Sequence, residues 1–211
     1  MGNQISYFPE IRVFSLESAI EKFSEPESIS LLFDHRESQL ILYHICRLVH
    51  NFLASAKTLL EHTRNLTREN YEKTDFYEQY CKEVEIRFLD NPITGFIEDF
   101  RNYSLHYSLP ITGFRISVIN DKEKNIQTEH VIFFIEKKSL LKWSNWKKGK
   151  AFLEMGNEEI EIEVLIDDYY QQIFDFHGWI NKKLDSIHSS EIEWLQKQQL
   201  EIDEFMKSKS D

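Results

Sequence analysis

The chain is predicted to fold as a mainly α-helical bundle with a small β-hairpin insertion before its last long helices. Apolar residues recur every three or four positions through residues 15–107 and again through 165–206, as one buried helix face requires. Between these stretches, F-R-I-S-V-I (114–119) alternates with period two, and the β-rich H-V-I-F-F-I (130–135) follows a polar N-D-K-E-K-N turn. That pattern is a hairpin. A length of 211 residues suits one domain, residues 1–211, with the insertion at about 113–164.

Residues 1 to about 14 read as an irregular arm. Ser15 then caps a helix whose stripe is Leu16, Ala19, Ile20 and Phe23, and Pro26 ends it. A longer helical pattern runs from Ser30 to about Thr67 through Leu40, Tyr43, Ile45, Leu48, Phe52, Leu59 and Leu60, with one break near Asp34. Another helix is expected from Glu69 to Leu89. Asn91 and Pro92 form a start signal, an N-cap side chain followed by proline at the first helical position. The helix they open must end near Leu109, because Pro110 follows. After the hairpin a third strand is expected at I-E-I-E-V (160–164), while the basic stretch 139–153, with Trp143 and Trp146, fits no single pattern. Helical periodicity resumes at Leu165, through Ile166, Tyr169, Tyr170, Ile173 and Phe176, and continues to about Met206 with a break around His188.

Composition narrows the function classes. Hydrophobic content of 41% and charged content of 29% are those of a soluble globular protein, and 14% aromatic residues predict a ring-rich core. The net charge of −11 excludes nucleic-acid binding through diffuse surface charge, which needs Lys and Arg to neutralise phosphates. RNA chemistry here requires a local basic site, such as one assembled from two subunits. Cys46 and Cys81 lie far apart in expected helices, lack metal-ligand spacing and read as small buried hydrophobes. A reducing cytoplasm is the expected compartment, with no metal and no other cofactor. No apolar run approaches the ~20 residues needed to cross a bilayer, and neither a signal peptide nor a membrane partner is expected. The start M-G-N-Q-I-S fits the N-myristoylation pattern at Gly2 and Ser6. That short pattern means nothing in a bacterium lacking the transferase.

Chemistry is expected in F-I-E-D-F-R-N-Y-S-L-H-Y-S-L-P (96–110). Arg101 can hold a phosphate with its planar fork, and His106 can move a proton near neutral pH. Together they suffice in principle to cleave a phosphodiester without a metal. An Arg–His pair four to six positions apart arises roughly once by chance in a chain of this composition. Three features sharpen the pair. Asn102 follows the arginine directly, the helix has a marked start and stop, and no other Arg–His pair in the chain has that spacing.

R-N-Y-S-L-H (101–106) resembles the R-x4–6-H motif of the HEPN superfamily, in which a polar residue, often Asn, follows the arginine. The resemblance covers these six residues and their helical setting. It implies a HEPN-like helical bundle and a metal-independent endoribonuclease, many such proteins being toxins or effectors of prokaryotic toxin–antitoxin and anti-phage systems. Residues five apart on a helix point about 140° from one another, so Arg101 and His106 of one chain need not converge. The resemblance implies a homodimer whose packed motif helices bring both copies to one cleft. In that cleft His106 is expected to act as general base on a ribose 2′-hydroxyl or as acid on the leaving oxygen. Arg101 would stabilise charge on the phosphate, and Asn102 would orient the His106 ring or bind phosphate. Tyr103 and Tyr107 would stack on a base. RNA is the implied substrate, and an antitoxin or other defence-system protein the implied partner.

The same residues have a plainer reading. Arg101 follows Glu98 and Asp99 and can pair with an acidic neighbour, His106 can be a partly buried surface residue, and tyrosines four apart are commonly core packing. The competing function class is a non-catalytic HEPN-like helical module that dimerises or binds a partner protein. A membrane-anchored adaptor is supported only by M-G-N-Q-I-S. Among weaker candidates, Asp34, His35 and Glu37 have metal-ligand composition but read as a solvated helix start. His44, His50 and His62 read as helix surface or core. The run Lys142–Lys150 interleaves Trp with Lys and can touch RNA or an acidic partner, and Asp167 and Asp168 read as charges of a first helical turn.

Overall fold

Two short helices open the described part of the chain, which in this computed structural model comprises residues 13–209 apart from 109, 111 and 122–125. The Gly2 and Ser6 pattern and most of the expected N-terminal arm lie outside it. Helix α1 (Val13–Phe23) buries Leu16, Ala19 and Ile20 and starts two residues before the expected Ser15. Pro26 does more than end that helix: it takes the first position of α2 (Pro26–Leu32), where its missing N–H costs no hydrogen bond. The break expected at Asp34 is present. Its carboxylate accepts from the backbone N–H groups of Arg36 at 2.9 Å and Glu37 at 3.0 Å, capping α3 (His35–Tyr71). The Asp34, His35, Glu37 cluster is therefore a helix start, and no described residues form a metal-ligating group of three or more.

The 37 residues of α3 extend about 55 Å. Its buried stripe is Ile41, Ile45, Val49, Phe52, Leu53 and Ala56, whereas Leu40 and Tyr43, expected in the stripe, are exposed. At 3.6 residues per turn both stand about 150° from the centre of that stripe, on the far side of the helix. The helix expected over Glu69–Leu89 is divided. Helix α3 runs on to Tyr71, and Thr74 then caps α4 (Asp75–Val84), accepting from the Tyr77 N–H at 3.4 Å. Helix α4 buries Phe76 and Tyr80 but turns Cys81 to solvent, against expectation, while Cys46 is buried. Its end widens into a π-helical turn, Glu85–Leu89. Asn91 and Pro92 then start α5 (Pro92–His106) as expected, with Asn91 Oδ1 accepting from the Ile93 N–H at 2.9 Å. The helix stops at His106, where the Tyr107 and Ser108 N–H groups both reach the Tyr103 carbonyl.

Strands β1 (Thr112–Asp121) and β2 (Ile126–Glu136) form the expected hairpin, in register from Thr112–Ile135 to Asp121–Ile126. Val131, Phe133 and Ile135 point to the core with the two-residue period of a strand. Helix α6 (Lys137–Leu140) and helix α7 (Lys150–Met155) occupy the stretch whose pattern was ambiguous. Strand β3 (Glu159–Glu161) pairs antiparallel with the other edge of β2. It is shorter than the expected 160–164, because Ile162 already opens α8 (Ile162–Ile187). For the same reason Asp167 and Asp168 sit in the second turn of α8, and Glu163 holds the first-turn position. The break expected at His188 separates α8 from α9 (Ser189–Ser208). His188 Nε2 lies 2.8 Å from Tyr71 Oη, which pins the break to the far end of α3.

One core joins α3, α5, α8 and the inner face of the sheet, with Phe52, Phe96, Phe100, Tyr103, Phe133 and Phe176 among its fully buried side chains. No helix of the described residues is long and apolar enough to cross a membrane.

Candidate functional site

The motif helix α5 is held at both ends and along one side. At its start, Gln172 of α8 donates from Nε2 to the Arg87 carbonyl in the π-helical turn and to Thr94 Oγ1 at 3.0 Å. Asn91 Nδ2 in turn donates to Gln172 Oε1 at 3.4 Å. A π-helical turn leaves a carbonyl outside the ordinary ladder, and Gln172 takes it up. Beyond the other end, Cys46 Sγ of α3 lies 3.7 Å from the Pro110 carbonyl and 3.5 Å from Thr112 Oγ1. Burial pushes the Cys46 thiol pKa up, so it stays a protonated donor.

Along the side of α5 runs the basic segment. Asp99, itself buried, accepts from the backbone N–H groups of Lys147 at 2.7 Å and Gly149 at 2.9 Å through one oxygen, Oδ2. Two glycines permit this approach. A Cβ on Gly95 would stand 2.7 Å from Lys148 Cβ, and one on Gly149 would stand 2.8 Å from Phe96 Cα. Rings fill the seam. Trp146 stacks on Phe96 with centroids 5.5 Å apart and on Tyr103 at 5.9 Å, and its indole N–H donates to the Leu140 carbonyl at 2.8 Å. Trp146 is thus a core residue, whereas Trp143 is half-buried and meets Tyr103 edge-on at 5.7 Å.

Arg101 is half-buried, and its Nε is buried with no hydrogen-bond partner. Its acidic neighbours are engaged elsewhere. Asp99 holds the basic segment, and the Glu98 carboxylate lies 3.8 Å from Lys57 Nζ and 3.6 Å from Lys148 Nζ. The plainer expectation, in which Arg101 pairs with Glu98 or Asp99, is therefore not what the fold adopts. Among the described residues Arg101 forms no ion pair. Asn102 and His106 are exposed. With 3.6 residues per turn, Arg101 and His106 stand about 140° apart around the α5 axis, and the directions of Leu105, Glu98 and Asn102 fall between them. The two motif side chains thus border one solvent-facing strip.

The tyrosines divide. Tyr103 is 2% exposed and belongs to the ring ladder. Burial pushes its hydroxyl pKa up, with a Ser108 hydrogen bond acting the other way. Its face is already occupied by Trp146, so base stacking is not open to it in this arrangement. Tyr107 is 52% exposed, with its ring 6.4 Å from that of Trp143. Of the two, only Tyr107 can present a face to a base.

The strip combines a guanidinium without an anion, an amide side chain and an exposed imidazole. Such a set can bind a phosphate and exchange a proton with it. His44 of α3 is engaged elsewhere: its Nδ1 lies 3.0 Å from Arg47 Nη2, its ring meets Phe23 edge-on, and burial lowers its pKa. What the sequence hides is the role of Asp99, Gly95 and Gly149. Gly95 and Asp99 are four apart and share a helix face, a small residue beside an acceptor, but their partners lie some 50 positions away.

No family model matches the chain, and no curated protein and no solved structure matches it. The resemblance of R-N-Y-S-L-H rests on that motif and its place on α5.

Proposed function

We propose that the chain is a metal-independent endoribonuclease of HEPN type, acting as a homodimer and serving as a toxin or effector in a prokaryotic toxin–antitoxin or anti-phage system. Arg101 carries this reading. A half-buried guanidinium with no acceptor for its Nε, set at the margin of a strip that also bears Asn102 and His106, is a standing request for an anion. In the reaction, His106 removes the proton of a ribose 2′-hydroxyl, and the oxygen attacks the adjacent phosphorus. Arg101 compensates the charge that builds on the phosphate oxygens. The 5′-oxygen leaves with a proton from the His106 of a second copy, giving a 2′,3′-cyclic phosphate. A second copy packed on the same strip would supply that proton donor, and Leu105, 44% exposed beside Asn102, offers it an apolar contact.

The test is incubation of the purified protein with single-stranded RNA in EDTA, alongside Arg101→Ala and His106→Ala. Cleavage that survives EDTA and disappears in both variants is expected, and DNA of the same sequence should stay intact. A protein that is monomeric by sedimentation, or active in either variant, would overturn the proposal.

A second reading, a non-catalytic module that binds another protein, is favoured by α9. Trp194, Leu195, Leu200 and Ile202 are each more than half exposed there, and none of the described side chains of that helix is buried. Inactivity of the wild type on varied RNAs, tRNA included, together with harmless expression in cells, would favour it.

A further inference from the structure

We infer that Lys142, Lys147 and the Tyr107–Trp143 ring pair form a single-stranded RNA subsite that leads into the His106 end of the motif helix. The inference rests on the ribonuclease reading, and it names where the strand lies outside the cleavage point.

Charge is the first ground. Residues 137–153 contain six lysines and no acidic residue, so the rest of the chain must carry −17 to reach the net −11. A polyanion is repelled by most of this surface and attracted by one segment. The segment's lysines differ in how far they are neutralised. Lys138 lies 3.3 Å from Glu136, Lys148 lies 3.6 Å from Glu98, and Lys150 lies 3.6 Å from Glu154. Lys142 and Lys147 are exposed and form no ion pair among the described residues. Their charges are available to phosphates.

Position is the second ground. Asp99 fixes the backbone of Lys147 to the motif helix at 2.7 Å, so that lysine's place relative to Arg101 and His106 is set by the fold. Lys142 precedes Trp143, whose half-buried ring faces Tyr107 at 6.4 Å with the planes 38° apart. Tyr107 follows His106 directly. The stacking platform, with Lys142 beside it in the chain, therefore adjoins the His106 end of α5. Lys147 stands beside Asp99 about two helical turns earlier, so the two unpaired cations mark the ends of a track along the helix. Aromatic faces beside a basic track are how proteins hold unpaired bases and their backbone, whereas an acidic polypeptide has no bases to stack. The combination favours single-stranded RNA over an acidic protein.

The test is fluorescence polarisation with a labelled 2′-O-methyl oligouridylate of about 20 nucleotides, which lacks the attacking hydroxyl and so reports binding without cleavage. Lys142→Glu/Lys147→Glu should weaken binding at least about tenfold, and the slope of log affinity against log salt should fall by about 1.4, at about 0.7 per lost phosphate contact. Tyr107→Ala should weaken it about five- to a hundredfold and reduce the tryptophan quenching that binding produces. Wild-type affinity and salt slope in the charge-reversed double variant would overturn the subsite. Equal affinity for polyglutamate, or for duplex RNA, would also overturn it. Binding of the 2′-O-methyl strand without cleavage of its unmodified counterpart would support the subsite while removing the ribonuclease reading. Cleavage that is indifferent to all three substitutions would do the reverse.

Discussion

The Asp99 carboxylate receives the Gly149 amide at 2.9 Å, joining the motif helix to a segment fifty residues later. The same oxygen accepts from the Lys147 N–H. A buried carboxylate satisfied by two backbone donors behaves as a cap for a chain that is neither helix nor strand. It sets the distance between the motif and the lysines.

Asp99→Ala should lower unfolding free energy by about 3 kcal/mol, since it strands two amide donors and removes a charge-assisted acceptor. Asp99→Asn should cost less, because its carbonyl can still accept. Urea titration followed by tryptophan fluorescence measures both, and a change under about 0.5 kcal/mol for the alanine would refute the tether.

Arg101→Met should leave stability within about 0.5 kcal/mol of wild type or raise it, because the substitution breaks no hydrogen bond and fills the same space with an apolar chain. RNA cleavage by the same variant should fall by about a hundredfold or more. A stability loss above about 2 kcal/mol would instead mark Arg101 as a structural residue.

Two glycine substitutions should move in opposite directions. Gly149→Ala places a methyl 2.8 Å from Phe96 Cα, and backbone cannot yield; it should cost about 1–3 kcal/mol. Gly178→Ala, in the interior of α8 with no atom within 4 Å of the new methyl, should stabilise by about 0.5–1 kcal/mol through helix propensity. Thermal melts of the two proteins provide the comparison.

His177, on α8 against the Phe176 ring, has its pKa pushed down by burial to about 4 from an ordinary value of 6.5. Above pH 6.5 both native and unfolded states hold it neutral. As pH falls from there toward 4, the unfolded chain binds a proton that the native state refuses, so stability is lost, by up to about 3 kcal/mol. His177→Phe should therefore show a flatter decline than wild type across that window in urea midpoints. Parallel curves would show that His177 does not titrate as its burial implies.

The cysteines provide a simple check of the helical faces. A disulfide reagent should modify Cys81 of the native protein readily, Cys46 slowly, and both after denaturation. Rapid reaction of both thiols would mean that the α3 face is not closed by Pro110 and Thr112.

Local chemistry was legible in the sequence and distant chemistry was not. The Asn91–Pro92 start, the Asp34 cap, the hairpin and the break at His188 are written in adjacent residues, where turn and cap preferences act. I-E-I-E-V satisfied strand alternation, yet β3 closes at Glu161 because the apolar face of α8 begins with Ile162. Trp146 sits among lysines in a stretch that fits no single pattern, and only Phe96 and Tyr103, from a helix more than forty positions earlier, make it core. The motif itself was legible as a sequence of residue types. That Glu98 and Asp99 would be engaged elsewhere, leaving Arg101 unmatched, depended on Lys57 of α3 and the adjacent Lys148 and Gly149 arriving from two other parts of the chain.

The Tyr71–His188 bond marks a border between two kinds of helix. On its near side, α8 is helical because the core demands it. On its far side, α9 has no buried described side chain, and some 20 residues of helix without tertiary support are only marginally stable in water. Amide protons of α9 would then exchange orders of magnitude faster than those of α8. Circular dichroism would lose α9's helicity over a broad range below the main transition, so one melting temperature cannot describe the whole chain.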